Sequence, residues 1–246
     1  MQAVRTVLIA TALALLLWQI AIWLFGFRHF ILPPPIMVAE ALWTYRELLG
    51  YHGLRTVQVI LIGLLLGIAL GAITAVQLAF SNWARLYVRP ILVFTQAIPV
   101  FALAPILMIW FGFGIEPKIM MALLIIYFPV TSTFFDGLRN TPPGYLDLAH
   151  TMGANPTRIM WQIRIPSAIP SLTSGVRLAA VYAPIGAVIG EWVGGEARGL
   201  GYLMTYANSR TKIDLMFAAL IVLAVITVLL HVFVDRTGRR VEGRFA

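Results

Sequence analysis

The five longest stretches of this chain without Asp, Glu, Lys or Arg are residues 6–27, 56–84, 90–115, 119–135 and 215–234. Most reach the roughly 20 apolar residues that carry a helix across the hydrocarbon core of a bilayer. Helices are the form open to such runs, because in lipid every backbone N–H and C=O must be satisfied within its own segment. Composition agrees: 11% of the residues are charged, against roughly 25% in a soluble domain. The chain therefore reads as all-α, a polytopic membrane helix bundle. Six transmembrane helices are expected, at about 6–27, 56–80, 90–114, 119–135, 172–192 and 215–234, forming a single domain over residues 1–246.

Arg5 before the first run resembles the start of a secretory signal, but the run exceeds the roughly 7–15 apolar residues of a signal core. No small-residue cleavage pattern follows Phe25-Gly26-Phe27 either, so a retained first span is expected. Six spans put both termini on one side. With that side inward, eleven basic residues fall on inner segments and seven on outer ones, which places both termini in the cytosol. Residues 136–171 then form the one long cytosolic loop. On the outer side, Ile36, Val38, Ala41, Leu42, Tyr45, Leu48 and Leu49 recur at helical spacing after Pro33-Pro34-Pro35, as in an interfacial amphipathic helix.

Two spans carry special residues. Gly63, Gly67 and Gly71 lie four apart on one face of the second span, where a neighbouring helix can approach closely. Static packing is the expected use of that face, ahead of sliding. The third run opens at Pro90 and is interrupted by Pro99 and Pro105. Proline breaks a helix hydrogen bond, and lipid tolerates the loss only where protein or a water-filled cavity meets the freed carbonyls. A pathway is therefore expected beside Pro99 and Pro105, with Gln96 offering an amide and Tyr182 a ring with a hydroxyl. A cavity without central charge suits a neutral or weakly charged solute such as an aromatic heterocycle.

Several chemistries are excluded. The chain has no cysteine and only two lysines, Lys118 and Lys212, neither preceded by glycine, so it has no phosphate-binding Gly-Lys-Ser/Thr loop. His29, His52, His150 and His231 lack partners at metal-ligand spacing, and no metal site is expected. All ten acids fall in loops or near span ends, so no mid-membrane carboxylate is available to carry a coupling ion. The net charge of +8 is assigned to cytosolic loops rather than to nucleic-acid binding. A self-contained carrier or channel, or a purely structural subunit, is the competing reading. The first predicts a coupling-ion site or repeat, and the second has no use for the prolines of the third span.

The cytosolic loop reads Asp147-Leu148-Ala149, three residues, Gly153, nine residues, then Ile163-Arg164-Ile165-Pro166. A short helix before Gly153, a boundary at Ala154-Asn155-Pro156 and a second helix ending at Pro166 are expected. This loop resembles the Glu-Ala-Ala, three residues, Gly, nine residues, Ile-x-Leu-Pro signature of the permease subunits of binding-protein-dependent ABC importers. Asp147, Leu148 and Ile165 depart mildly from it. Leu32-Pro33-Pro34-Pro35, Gln96-Ala97-Ile98-Pro99, Ala104-Pro105, Trp110-Phe111-Gly112-Phe113-Gly114 and Gly199-Leu200-Gly201-Tyr202 are similar to the nitrate, sulfonate, taurine and thiamine-pyrimidine-precursor branch. Ala179 to Trp192 looks most like permeases for hydroxymethylpyrimidine-type precursors, and also resembles riboflavin permeases.

The resemblance implies a type I ABC importer permease fold in the bacterial inner membrane. It implies a non-catalytic subunit with no cofactor of its own, ATP and Mg being held by two partner ATPase subunits. A second permease copy, most simply a homodimer, and an extracytoplasmic solute-binding protein would complete the assembly. The loop would seat in a groove on the ATPase, with Ala149 and Gly153 small for close docking and Asp147 at the rim. Glu191 and Glu196, flanking Gly194-Gly195, would face the binding protein or lie in a solvated loop. Arg177 would anchor at lipid headgroups or pair with the cytosolic loop.

Overall fold

The computed structural model describes residues 2–194 and 196–244, and apart from short connections those residues are helical. Gly195 lies outside the described residues. The helices are α1 (Gln2–Phe25), α2 (Pro35–Thr44), α3 (Arg46–Phe80), α4 (Asn82–Ala97), α5 (Val100–Phe111), α6 (Glu116–Arg139) and α7 (Pro143–Thr151). They continue with α8 (Pro156–Ile159), a π-helical segment (Met160–Arg164), α9 (Ile165–Val193), α10 (Leu200–Ser209) and α11 (Ile213–Glu242). The residues fall into two compact units: the chain up to Arg55 with Ala197–Ala224, and Thr56–Glu196 with the chain from Val225 on.

Among the described residues, four helices are long and apolar enough to cross a membrane: α3, α6, the continuous Pro156–Val193 and α11. The third expected span is not a straight crossing. It is two helices, α4 and α5, bent by 103° at Ile98-Pro99. The ring of Pro99 drives the preceding residue out of the helical region, and Ile98 has φ −82° and ψ 122°. Pro90 does not open this segment but lies inside α4, which starts at Asn82 behind a Ser81 side-chain cap. The first expected span coincides with α1, Gln2–Phe25, whose stretch Ile9–Phe25 is an apolar helix. The interfacial helix begins at Pro35 as expected but stops at Thr44, and α3 starts at Arg46, well before the Thr56 start read from the uncharged run.

In the larger unit α6 is the centre. A Cβ placed on Gly63, Gly67 or Gly71 of α3 would come within 2.7, 2.6 and 2.9 Å of Ala122, Ile126 and Val130 of α6. From the other side, Gly186 and Gly190 of α9 face the backbone of Ala122 and Lys118, where a Cβ would approach to 2.6 and 2.8 Å. Ala122 is thus held between two glycines, and three helix axes come as close as backbones allow. The alanines Ala179, Ala180, Ala183 and Ala187 of α9 complete this core with Val59, Ile60 and Leu64. At the other end of α6, Phe134, Phe135 and Leu138 pack with Leu78, Leu92, Met160 and Ala168. α5 joins through Ala104 and Leu107 against Met121.

In the smaller unit, buried His52 accepts a hydrogen bond at Nδ1 from the Gly199 backbone N–H at 3.1 Å. Its ring stacks on Tyr202 with centroids 6.0 Å apart. The Gly199-Leu200-Gly201-Tyr202 motif therefore opens α10 against a histidine already satisfied as a packing group. Trp18 of α1 packs on Phe217 of α11 at 5.6 Å.

Candidate functional site

The loop between α6 and α9 is built by local rules. α7 ends at Thr151, and Gly153 takes φ +75°, a conformation that glycine enters without penalty. The Gly153 N–H donates to His150 O and the Ala154 N–H to Ala149 O, both at 3.0 Å. This crossed pair satisfies carbonyls that the helix end would leave open. Asn155 then caps α8, its Oδ1 accepting from the Arg158 N–H at 2.8 Å, and Pro156 occupies the first turn, where its missing N–H costs nothing. The result is a stiff knob of two short helical pieces at a near-fixed angle.

Pro166 does not end the second helix, as its ring would in a regular α-helix. Helix continues from Pro156 to Val193 because Met160–Arg164 is wound as π-helix, with the Ile165 N–H bonding five residues back to Met160 O. In that widened turn the ring finds room. Ile163, Ile165 and Pro166 are consequently half-buried parts of one rigid rod joining the loop to a membrane-spanning helix.

The knob leaves apolar side chains open. Leu148 is 59% exposed and Met152 77%, with Tyr145 and Trp161 also exposed. Tyr145, Leu148, Met152, Arg158, Gln162 and Ile163 line a shallow groove of about 250 Å³. Asp147 is exposed beside it, and around Gly153 there is open space. Ala149 is buried, yet it lines the same groove as Leu148 and Met152. The exposed apolar side chains on the groove are Leu148, which lies within the signature, and Met152, which the signature does not single out.

The expected pathway residues lie on open faces. Gln96 is exposed in the last turn of α4, Pro99 and Pro105 are exposed at the bend and within α5, and Tyr182 is exposed midway along α9. No contact joins Gln96 to Tyr182 among the hydrogen bonds described.

At the opposite end of α6, two ionisable groups lie deeper than their sequence positions suggest. Lys118 is 2% exposed, and its Nζ sits 3.3 Å from both Glu196 Oε2 and Glu196 O. Glu191 is 1% exposed and accepts a hydrogen bond from Thr56 Oγ1 at 2.8 Å. Buried in this way it ties α3 to α9 and offers no surface to a docking protein, which corrects its expected pairing with Glu196. Glu196 is 28% exposed and keeps an open side. Burial of Lys118 was not legible in the sequence, where Glu-Pro-Lys at a helix start reads as a solvated cap.

Arg177 also differs from expectation, reaching neither the loop nor open headgroup space. Its Nε lies 2.9 Å from Asp235 and its Nη2 3.0 Å from Glu242, with Thr173 donating to the same Glu242. Asp235 is shared with Arg239 at 2.9 Å. The network clamps α9 to α11 just beyond their apolar stretches. The signal was present as Asp235 and Glu242 seven residues apart, two helical turns on one face.

Comparison with known proteins adds the following. A family model described as the binding-protein-dependent transport system inner membrane component matches residues 67–245. A probable ABC transporter permease of Haemophilus influenzae is 49% identical over 93% of each chain. The formylaminopyrimidine transport permease ThiX of Halalkalibacterium halodurans is 34% identical over 87% of this chain and 86% of its own. The riboflavin transport permease RibX of Chloroflexus aurantiacus is 36% identical over 89% and 82%. Sulfonate and taurine transport permeases also match, so the relatives fall in the branch that the motifs indicated. Among solved structures, an inward-facing MetNI methionine ABC transporter superposes with a TM-score of 0.65 at 21% identity, over 85% of this chain and 98% of that one. The fold is thus the type I ABC importer permease fold.

Proposed function

Because this chain belongs to the family of binding-protein-dependent transport system inner membrane components, and is the multi-pass permease subunit of an ABC importer, we propose how it is driven and what it carries. The knob around Gly153 is the seat for a separate ATPase subunit, which binds ATP and Mg and performs the hydrolysis. The observation that carries this reading is the pair of exposed apolar side chains, Leu148 and Met152, on a capped helix continuous through the π segment with a spanning helix. Apolar side chains exposed on a rigid support mark a protein interface. A push on such a knob moves α9 as a lever, since Pro156–Val193 is one helix.

In this mechanism two permease copies, two ATPases and one extracytoplasmic binding protein form the working unit. Nucleotide draws the ATPases together, the knobs follow, and an equilibrium between outward-open and inward-open packings shifts. Both termini face the cytosol, and Glu196 lies on the outer side, where the binding protein docks. Gln96, Pro99, Pro105 and Tyr182 line the conduit, their exposure in the single chain being supplied with a facing surface by the second copy.

The substrate is a small, neutral or weakly charged aromatic heterocycle, first a thiamine pyrimidine precursor of the formylaminopyrimidine or hydroxymethylpyrimidine type. The similarity to ThiX and the uncharged character of the pathway residues support this choice. The similarity to RibX supports riboflavin as the second reading. The deciding experiment is a mild-detergent pull-down of tagged wild type, Leu148→Asp and Met152→Asp, with mass spectrometry of the companions. An ATPase that accompanies wild type and is lost from both variants establishes the seat. Retention in variants present at normal levels removes it. Uptake of labelled pyrimidine precursor and of riboflavin by cells with and without the gene then separates the two substrates.

A further inference from the structure

We propose that a cavity behind the knob, lined by Arg85, His150 and Arg164, binds the phosphate group of an acidic phospholipid. The cavity has a volume of about 270 Å³, and Ala79, Phe80, Ile159 and Met160 form its apolar wall. Among the described residues, no carboxylate lines it. Arg164 Nε is shut off from solvent and has no hydrogen-bond partner. A guanidinium N–H left buried and unpaired is costly, so an anionic acceptor entering the cavity would be stabilised there. Arg85 is held in place from behind, its Nε and Nη2 donating to Leu78 O and Ala79 O at 3.5 and 3.4 Å. Two guanidinium groups and an imidazole converging without an acid are suited to a phosphate diester, whose oxygens accept several charge-assisted bonds.

Its place in the fold selects a lipid as the source of that phosphate. Ala79 and Phe80 are the last residues of α3, so the cavity lies where an apolar helix runs out. Trp83 and Tyr87, in the next two turns, are exposed with ring centroids 5.2 Å apart, as aromatic side chains at headgroup level are. Phe80 and Leu86 add exposed apolar surface for acyl chains. Basic pockets at the ends of spans hold anionic headgroups in this way. A free phosphate would satisfy the arginines but not that surface. An acidic side chain of an ATPase is disfavoured because Leu148 and Met152 line a different groove. The lipid would brace the knob against α3 and α4 and thereby set the stiffness with which it transmits motion. The site itself stands on geometry independent of the transported solute.

The test is native mass spectrometry of the full-length protein in mild detergent, titrated with phosphatidylglycerol, with phosphatidylcholine or with inorganic phosphate. Phosphatidylglycerol should be retained over phosphatidylcholine. Arg164→Gln should lower its occupancy about fivefold, the order that one basic residue contributes at an anionic membrane surface. Arg164→Lys should retain part of it, and Arg89→Gln, at an exposed arginine over Phe135 outside the cavity, should change nothing. His150→Gln, at an exposed position, gives a second reading if Arg164→Gln fails to fold. Equal retention of the two lipids, or unchanged retention in both cavity variants, overturns the proposal. Phosphate adducts on protein that takes up no phosphatidylglycerol assign the site to a soluble anion instead. Loss of the ATPase from Arg164→Gln with phosphatidylglycerol binding intact assigns it to the protein partner.

Discussion

At φ +75°, Gly153 stands where an L side chain costs about 1–2 kcal/mol, yet a Cβ there would meet nothing within 4 Å. Turn and docking are therefore separable at one position. Gly153→Ala should lower the thermal midpoint in detergent, whereas Gly153→Asn, a residue that enters this conformation more readily, should leave the midpoint near wild type. If Gly153→Asn also loses the ATPase in a pull-down, the position must be small for docking, and if it keeps the ATPase, glycine is present for the turn alone. Arg177 presents a different case, since two carboxylates converge on it. Arg177→Gln leaves Asp235 and Glu242 without the cation they share, and a modest destabilisation is expected, as for an ion-pair network open to solvent. It is read as a lower unfolding midpoint that Glu242→Gln in the same background partly restores.

Among the helices, α6 is the one that others are built around, because α3 and α9 both present glycine to it. A leucine at Gly67 would drive its side chain into Ile126, and overpacking of this kind costs about 1–3 kcal/mol. Gly67→Leu should lower yield and unfolding midpoint, whereas Gly50→Ala, with nothing within 4 Å of the new methyl, should do neither. Equal midpoints for the two would mean that α3 does not rest on α6 in the membrane. The π-helical turn before Pro166 shows why proline is an unsafe stop signal: the missing N–H ends a helix only if the turn around it stays α-helical.

For the whole molecule, orientation and conduit can be read with thiols, because the natural chain has no cysteine to interfere. With the orientation proposed above, Arg240→Cys should react with an impermeant maleimide only after the cytosolic face is opened, and reaction in intact cells would reverse the topology. Tyr182→Cys on α9 should react with the same reagent in assembled transporter if it lines a water-filled path, and should stay unlabelled if it faces lipid. Gln96→Leu and Tyr182→Ala are expected to reduce uptake while the ATPase remains bound. Wild-type uptake in both would remove them from the path.

Much of this was written along the chain. Uncharged runs set the rough positions of most spanning segments, because lipid admits only backbones that satisfy themselves, but not their ends or number, since the third run is two helices bent by 103°. Glycine and proline spacing set the knob, because left-handed turns and N-caps are decided within a few residues. Contacts between distant helices were not legible in that way. The depth of Lys118 and Glu191, the Arg177 clamp, the bend at Ile98-Pro99 as a break between two helices, and the burial of Ala149 all depend on which face meets which neighbour. An apolar face against protein and an apolar face against lipid have the same composition. Only packing in three dimensions, where glycines let α3 and α9 close on α6, separates them.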